Sequence, residues 1–289
     1  MSIQSYAFVL NHFGSKIKYL EYEIYSILML KKITNYDIIY MYSKIDTPEI
    51  FVKIIGEMDV KTFGYDDSII INKSKEFNSV YGHFNTLRTC SFIYSNLLTD
   101  YKKICIVESD IIFKKKFNNI FKLKTPSVFF YSDDKKVNSN YKNDIDINFF
   151  LKICGKSSPI NGGVMLIEPE PNLISELENK LEIIMKKNCA YPNEMLFILL
   201  YKNYYNLPLS YNYIKYSKIR NVEVYGCHFA SSIHKHLDII KDNYLDKIKN
   251  KYEKENLIYF KENFYDKKYK EINNLMCKIK KYINKNNNS

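Results

Sequence analysis

The chain has 289 residues, a formal net charge of +11, 46% hydrophobic and 26% charged residues, the balance of a globular chain holding one large domain or a core with an appended element. No apolar run reaches the roughly 20 residues that cross a bilayer. Six cysteines without a CxxC pair or tight Cys/His spacing suggest neither a disulfide framework nor a structural zinc site, and free thiols are the expectation.

Residues 6–10 ("YAFVL") predict a strand, and 16–31 a helix, with Leu20, Ile24, Ile27, Leu28 and Met29 at helical spacing. "DIIYMYS" (37–43) predicts a second strand, and Thr47-Pro48-Glu49 starts a helix because proline is tolerated in a first turn. The unit repeats through "DVKTFG". A polar loop rich in Asp, Lys and Asn follows, then a predicted helix over 83–98, a polar break at Thr99 and Asp100, and a strand from about residue 103. Strands alternating with helices predict an α/β protein whose largely parallel sheet carries helices on both faces.

Ligands of such sheets bind beyond the carboxyl ends of the strands. Glu108 and Asp110 of "ICIVESDIIF" (104–113) fall at that end of a buried strand, where alternate side chains share a side and Ser109 turns away. Two hard oxygen ligands there can hold Mg²⁺ or Mn²⁺, although so short a pattern also fits a strand ending in a polar turn. "SSPINGGVMLIEPEP" sets Asn161, Gly162 and Gly163 before an apolar strand, where paired glycines permit close approach of a ligand or form an ordinary turn. "YPNEMLFILL" opens a helix at Pro192, so Asn193 and Glu194 in its first turn serve a ligand or a cap. In "VYGCHFASSIHKHL", His228 ends a short strand as a metal ligand or a structural histidine, ahead of Ser231, His234, Lys235 and His236.

In this order the segments resemble the family 8 glycosyltransferases, the glycogenin and galactosyltransferase group. The resemblance runs over about residues 5–240 and rests on the opening strand and helix, the E-x-D strand, "NGGVMLIEP", "NEMLF" and "HFASSIHK". It implies a GT-A, Rossmann-like nucleotide-sugar-binding fold with a mostly parallel central sheet. It also implies transfer of a hexose from a UDP-sugar, with retention and with Mn²⁺ or Mg²⁺, to a sugar, a protein or the chain's own tyrosine. Carried over by position, Glu108, Asp110 and His228 would hold the metal, and Asn161, Asn193 and Glu194 would be catalytic. Val9, Leu10, Asn11, Tyr19, Ser109, Gly162, Gly163, Ser231, His234 and Lys235 would bind the donor. The chain departs from the family at Glu108, at Asn193-Glu194 in place of Asp-Gln, and in the terminal H-x-x-G-x-x-K pattern, where Ser231 and His234 replace Gly and Lys. These departures sustain an alternative: a non-catalytic nucleotide-sugar-binding module. Arg88 falls near a family basic residue but out of register, where a surface role serves equally.

The expected organisation is a glycosyltransferase domain over 1–237, a basic helical extension over 238–283 and a disordered tail over 284–289. The start "MSIQSYAFVL" lacks the marks of a secretory signal, so a cytoplasmic protein is expected. Lysines are dispersed and thicken after residue 235, as on a solvated surface, so no specific nucleic-acid partner is expected. A homodimer is a sensible prior.

Overall fold

The structure is a computed structural model that describes residues 4–81, 86–130, 142–144, 160–201, 203–214, 223–229, 233–242, 245–248 and 251–287. Strand β1 (Gln4–His12) lies inside the sheet, and its successive residues divide between two cores. Phe8 and Leu10 enter the cluster on one face, Ala7 and Val9 the cluster on the other. A strand covered on both faces reads as a continuous apolar run. Helix α1 (Ile17–Ile33) leads to β2 (Asp37–Ser43), α2 (Glu49–Glu57), which starts after Pro48, and β3 (Lys61–Tyr65). All these lie where the sequence predicts them, within two or three residues.

The expected polar loop is instead helix α3 (Ser68–Tyr81). Its Ile70, Ser74 and Phe77 are buried at helical spacing and dock the helix, while Ile69, Asn72, Lys75 and Glu76 are exposed. The helix predicted over 83–98 is wound as 3₁₀ over Thr86–Leu97. "ICIVESDIIF" is not one strand: β4 (Tyr101–Val107) ends before Glu108, and β5 (Ile111–Phe113) belongs to a second sheet.

There follow β6 (Ser127–Phe130), β7 (Lys142–Asp144), β8 (Ile160–Ile167), α4 (Leu177–Lys186), α5 (Pro192–Leu200), β9 (Asn203–Asn206), β10 (Tyr213–Ile214) and β11 (Gly226–His228). Asn161, Gly162 and Gly163 lie within β8 rather than before it. The main sheet has the order β3-β2-β1-β4-β8-β6-β9-β7, and the small one β10-β11-β5. Strands β3, β2, β1 and β4 are parallel, with Val9 opposite both Ile39 and Ile106, whereas β8 runs antiparallel to β4 and β6.

Helices α6 (Ile233–Lys241), α7 (Lys251–Phe260) and α8 (Asp266–Asn287) close the chain, with a π-helical turn over Lys261–Tyr265. Helix α8 continues to Asn287, past residue 283, where a disordered tail was expected. Leu257, Phe260, Phe264, Ile272, Met276 and Ile279 join the core cluster of Phe8 and Leu20, and Phe260 meets the Tyr25 ring edge-on at 5.3 Å. Each such large apolar side chain contributes about 1.5–3 kcal/mol on full burial, so this segment is part of the core rather than an arm. Among the described residues no helix is long and apolar enough to cross a membrane.

Candidate active site

A cavity of about 570 Å³ opens beyond the carboxyl ends of β1 and β4 and the first turn of α5. Three carboxylates and a histidine from the predicted set meet there: Glu108, Asp110, Glu194 and His228. They converge because the turn between β4 and β5 is anchored at every residue. The Glu108 N–H donates to the Gly163 carbonyl at 3.0 Å, extending the β4–β8 ladder, and the Asp110 carbonyl accepts from Phe229 N–H at 3.0 Å, extending β5–β11. Between them the Ser109 carbonyl accepts from the Ser26 hydroxyl of α1 at 2.8 Å. The dyad thus sits where the chain crosses from one sheet to the other, beside His228 at the end of β11.

His228 Nε2 lies 3.2 Å from Glu108 Oε2 and 3.2 Å from Asp110 Oδ1. One donor atom from each residue falls within 4.8 Å of the others. Nε2 is buried between the two carboxylates at the same distance from each, where one cation could be shared by all three. Octahedral Mg²⁺ at about 2.1 Å from its ligands sets neighbouring ligands about 3 Å apart, close to this spacing. Two carboxylates and an imidazole also suit Mn²⁺. The donor set therefore fits a divalent ion. Burial opposes charge on His228, but Asp110 and Glu108 outweigh it and push the cation-free imidazole up to about 10.

The other ring nitrogen, Nδ1, is 2.9 Å from Asn161 Oδ1 and 3.1 Å from Asn212 Oδ1. Gly163 lies under the ring, where an added Cβ would come within 2.4 Å of Cε1 and Nδ1. At Gly162 a Cβ would meet Asn193 Nδ2 at 2.9 Å, so this glycine admits the first turn of α5. Glu194 is buried and its Oε1 accepts the Gly162 N–H at 3.1 Å, while Asn193 Nδ2 makes a long 3.5 Å contact to Glu108 Oε1.

At the opposite end Asn11, His12, Phe13, Tyr19 and Glu23 line the cavity. His12 Nδ1 is 2.8 Å from Glu23 Oε1, Tyr40 donates to Glu23 Oε2 at 3.0 Å, and His12 Nε2 is 2.9 Å from the Gly14 carbonyl. A carbonyl only accepts, so Nε2 carries a proton. Burial works against charge on His12, but Glu23 raises its pKa above the ordinary value. The adjoining loop, with Gly14 at φ +88°, is tied by the Gly14 N–H to Asp46 at 3.0 Å. Arg88 clamps Asp46 and reaches Asp67 Oδ2 at 2.6 Å, with its guanidinium 4.9 Å from the centre of the Phe13 ring. Burial opposes ionisation of Asp46, yet Arg88 holds its carboxyl below the usual range. Arg88 is thus buried, not a surface residue.

Of the expected donor-binding residues, Asn11, Tyr19, Ser109 and Gly162 line the cavity, as does Asn161. Val9 and Leu10 do not: their side chains fill the two cores, because every residue of an interior strand faces a covered side. Gly163 lies behind His228 rather than on the cavity wall. Ser231 lies outside the described residues, as do the side chains of His234 and Lys235 on α6. Sequence reasoning missed Asn212, and it missed the His12–Glu23 pair. Glu23 did carry a signal, since it is a carboxylate on the apolar stripe of Leu20, Ile24 and Ile27. The five cysteines among the described residues are free, and Cys154 lies outside them.

No family profile matches the chain. It is 24% identical over 247 residues to the uncharacterized protein R707 of Acanthamoeba polyphaga mimivirus, covering 80% of this chain and 82% of that one. It is similar in structure to the galactosyltransferase LgtC in complex with donor and acceptor sugar analogs, with a TM-score of 0.53 and 9% identity. An active-site Gln→Glu mutant of LgtC aligns with a TM-score of 0.50 and 10% identity. Both alignments cover 78% of this chain and 87% of the other. The mixed α/β architecture, with its mostly parallel sheet and C-terminal helix, is the GT-A glycosyltransferase fold predicted from sequence.

Proposed function

We propose that the chain is a metal-dependent glycosyltransferase that moves a hexose, glucose or galactose, from a UDP-sugar to a sugar, a protein or one of its own tyrosines, with retention at the anomeric carbon. The observation that carries this reading is the Glu108–Asp110–His228 cluster facing the cavity on a GT-A scaffold. Its electrostatics support it. Glu23, Glu108, Asp110 and Glu194 make the cavity acidic although the chain is basic, so a diphosphate enters only beside a cation. A divalent ion held by Glu108, Asp110 and His228 would neutralise charge on the departing diphosphate.

The chain's own residues do the rest. Asn11 and Tyr19 lie at the base and ribose end of the donor. The acceptor hydroxyl forms its bond to the anomeric carbon on the face from which UDP leaves, the anomeric carbon–oxygen bond to the β-phosphate breaks, and the hydroxyl proton passes to the departing phosphate oxygen. Glu194, oriented by the Gly162 N–H, provides a carboxylate that stabilises positive charge on the sugar ring. The division into a glycosyltransferase domain over 1–237 and a basic helical extension after it, the cytoplasmic location and the homodimer expected from sequence belong to the same proposal.

The test is intact mass after incubation with UDP-glucose, UDP-galactose and their N-acetyl forms, with and without Mn²⁺, with free UDP assayed in parallel. Hexose additions establish self-transfer, and UDP release that needs Mn²⁺ and a cosubstrate identifies an external acceptor. Nucleotide-sugar binding without UDP release from any donor would overturn the catalytic reading in favour of a binding module. Undiminished transfer by Glu194→Gln would remove Glu194 from its role.

A further inference from the structure

The environment of His228 Nδ1 is determined by two backbone groups. The Gly163 N–H can only donate, and it lies 3.0 Å from Asn161 Oδ1, so the Asn161 amide must turn its oxygen to that side. The same oxygen faces His228 Nδ1 at 2.9 Å and Asn212 Nδ2 at 2.7 Å. The Asn161 carbonyl can only accept, and it lies 3.3 Å from Asn212 Nδ2, which orients the Asn212 amide the other way and leaves its oxygen 3.1 Å from Nδ1. Neither amide can flip without setting donor against donor or acceptor against acceptor. Nδ1 therefore meets two oxygens and must carry the proton. Asn212 is fully buried at the entry to β10 and stays outside the cavity lining.

We infer that Asn212, acting with Asn161, is a positioning residue that locks His228 in the Nδ1-protonated tautomer and so presents the Nε2 lone pair to a divalent ion. The inference rests on the metal reading above. It also changes the role of Asn161, whose side-chain oxygen is turned to the imidazole rather than to a reacting sugar. A ligating histidine depends on the partner of its other nitrogen, and loss of that partner typically weakens metal binding about 10- to 100-fold.

The experiment is Mn²⁺ binding to the full chain, followed by electron paramagnetic resonance of the free ion. Asn212→Leu removes both the acceptor and the orienting donor, and is expected to weaken binding about 10- to 100-fold. Asn161→Asp keeps an acceptor for Gly163, Asn212 and His228 together, and is expected to bind at least as tightly as the parent. Should Asn212→Leu bind like the parent while His228→Ala does not bind, the tautomer lock is wrong and the metal site stands. A parent chain that takes up no Mn²⁺ ends both. Nitrogen-15 spectra of the histidine rings in Cd²⁺-loaded parent protein decide the matter even if the leucine variant does not fold. Cadmium coupling on Nε2 with a proton on Nδ1 is expected, and cadmium on Nδ1 would overturn the inference.

Discussion

Gly163→Ala tests the packing on which the site depends. The added Cβ would lie 2.4 Å from two atoms of the His228 ring and 3.0 Å from Nε2. Carbon atoms not bonded to one another settle at about 3.5–4.0 Å, so the ring would have to retreat by about 1.1–1.6 Å. It has little room to do so, because it is buried and its Nδ1 is held by Asn161 and Asn212. Overpacking of this kind costs about 1–3 kcal/mol. Opposing it, a glycine whose backbone lies outside the left-handed region gains about 0.4–1 kcal/mol from alanine through the unfolded chain. Destabilisation should win by about 0.5–2 kcal/mol, measured as a urea midpoint shift without metal. Mn²⁺ affinity should fall with it, because Nε2 leaves the carboxylates. In a His228→Ala background the obstruction is gone, and the same substitution should be neutral or stabilising, a coupling that a double-mutant cycle measures directly. Equal stability and equal Mn²⁺ affinity in the single variant would refute the packing argument.

Three further outcomes follow from the charges. Arg88→Met strands Asp67 in the interior, and urea unfolding should show a loss of about 3–5 kcal/mol, the usual result of breaking a buried ion pair. Mn²⁺ at about 100 times its dissociation constant should stabilise the chain by about 2.7 kcal/mol in thermal melts, and Asp110→Asn should remove most of that gain. The raised pKa of His12 means that its pairing with Glu23 stabilises fully below the unfolded value of 6.5 and loses this contribution as pH rises through the folded value. Stability measured from pH 5.5 upward should therefore fall more in the parent than in Glu23→Gln, with the raised His228 adding the same slope to both.

Much of the fold was legible because interior parallel strands and amphipathic helices write their burial into the chain. The run at 37–43 and the helix opening at Pro192 lie where the pattern puts them. Helix α3 was not legible, since three buried residues among the ten side chains described over 68–77 look like a polar loop until a docking surface exists. The lining of the candidate site was legible at Glu108, Asp110, Asn193, Glu194 and His228, where polar residues interrupt or end apolar runs. What escaped was whatever acts across distance in the chain: Asn212 is 51 residues from the Asn161 carbonyl that orients it, and Arg88 is 42 from Asp46 and 21 from Asp67. No local spacing encodes such pairs. The E-x-D strand misled for a related reason. A ten-residue apolar stretch cannot signal that its two halves pair in different sheets, yet that crossing is what turns both carboxylates toward His228.

The residues at 108 and 193 belong together. Glu108 reaches His228 with one oxygen and leaves the other 3.5 Å from Asn193 Nδ2. An aspartate at 193 would set a carboxylate oxygen against it. Two unit charges at that separation repel by about 5 kcal/mol at an effective dielectric constant near 20. The Glu108 side chain is 41% exposed, so screening reduces this to about 1–3 kcal/mol. An amide at 193 thus suits the longer acid at 108, and the negative charge of the α5 first turn passes to Glu194, which the Gly162 N–H receives. Asn193→Asp should therefore unfold more readily than the parent without metal, recover more than the parent on adding Mn²⁺, and be rescued without metal by Glu108→Gln. Equal metal-free stability of Asn193→Asp and parent would mean that Glu108 and Asn193 are independent, and that the contact between them carries no energy.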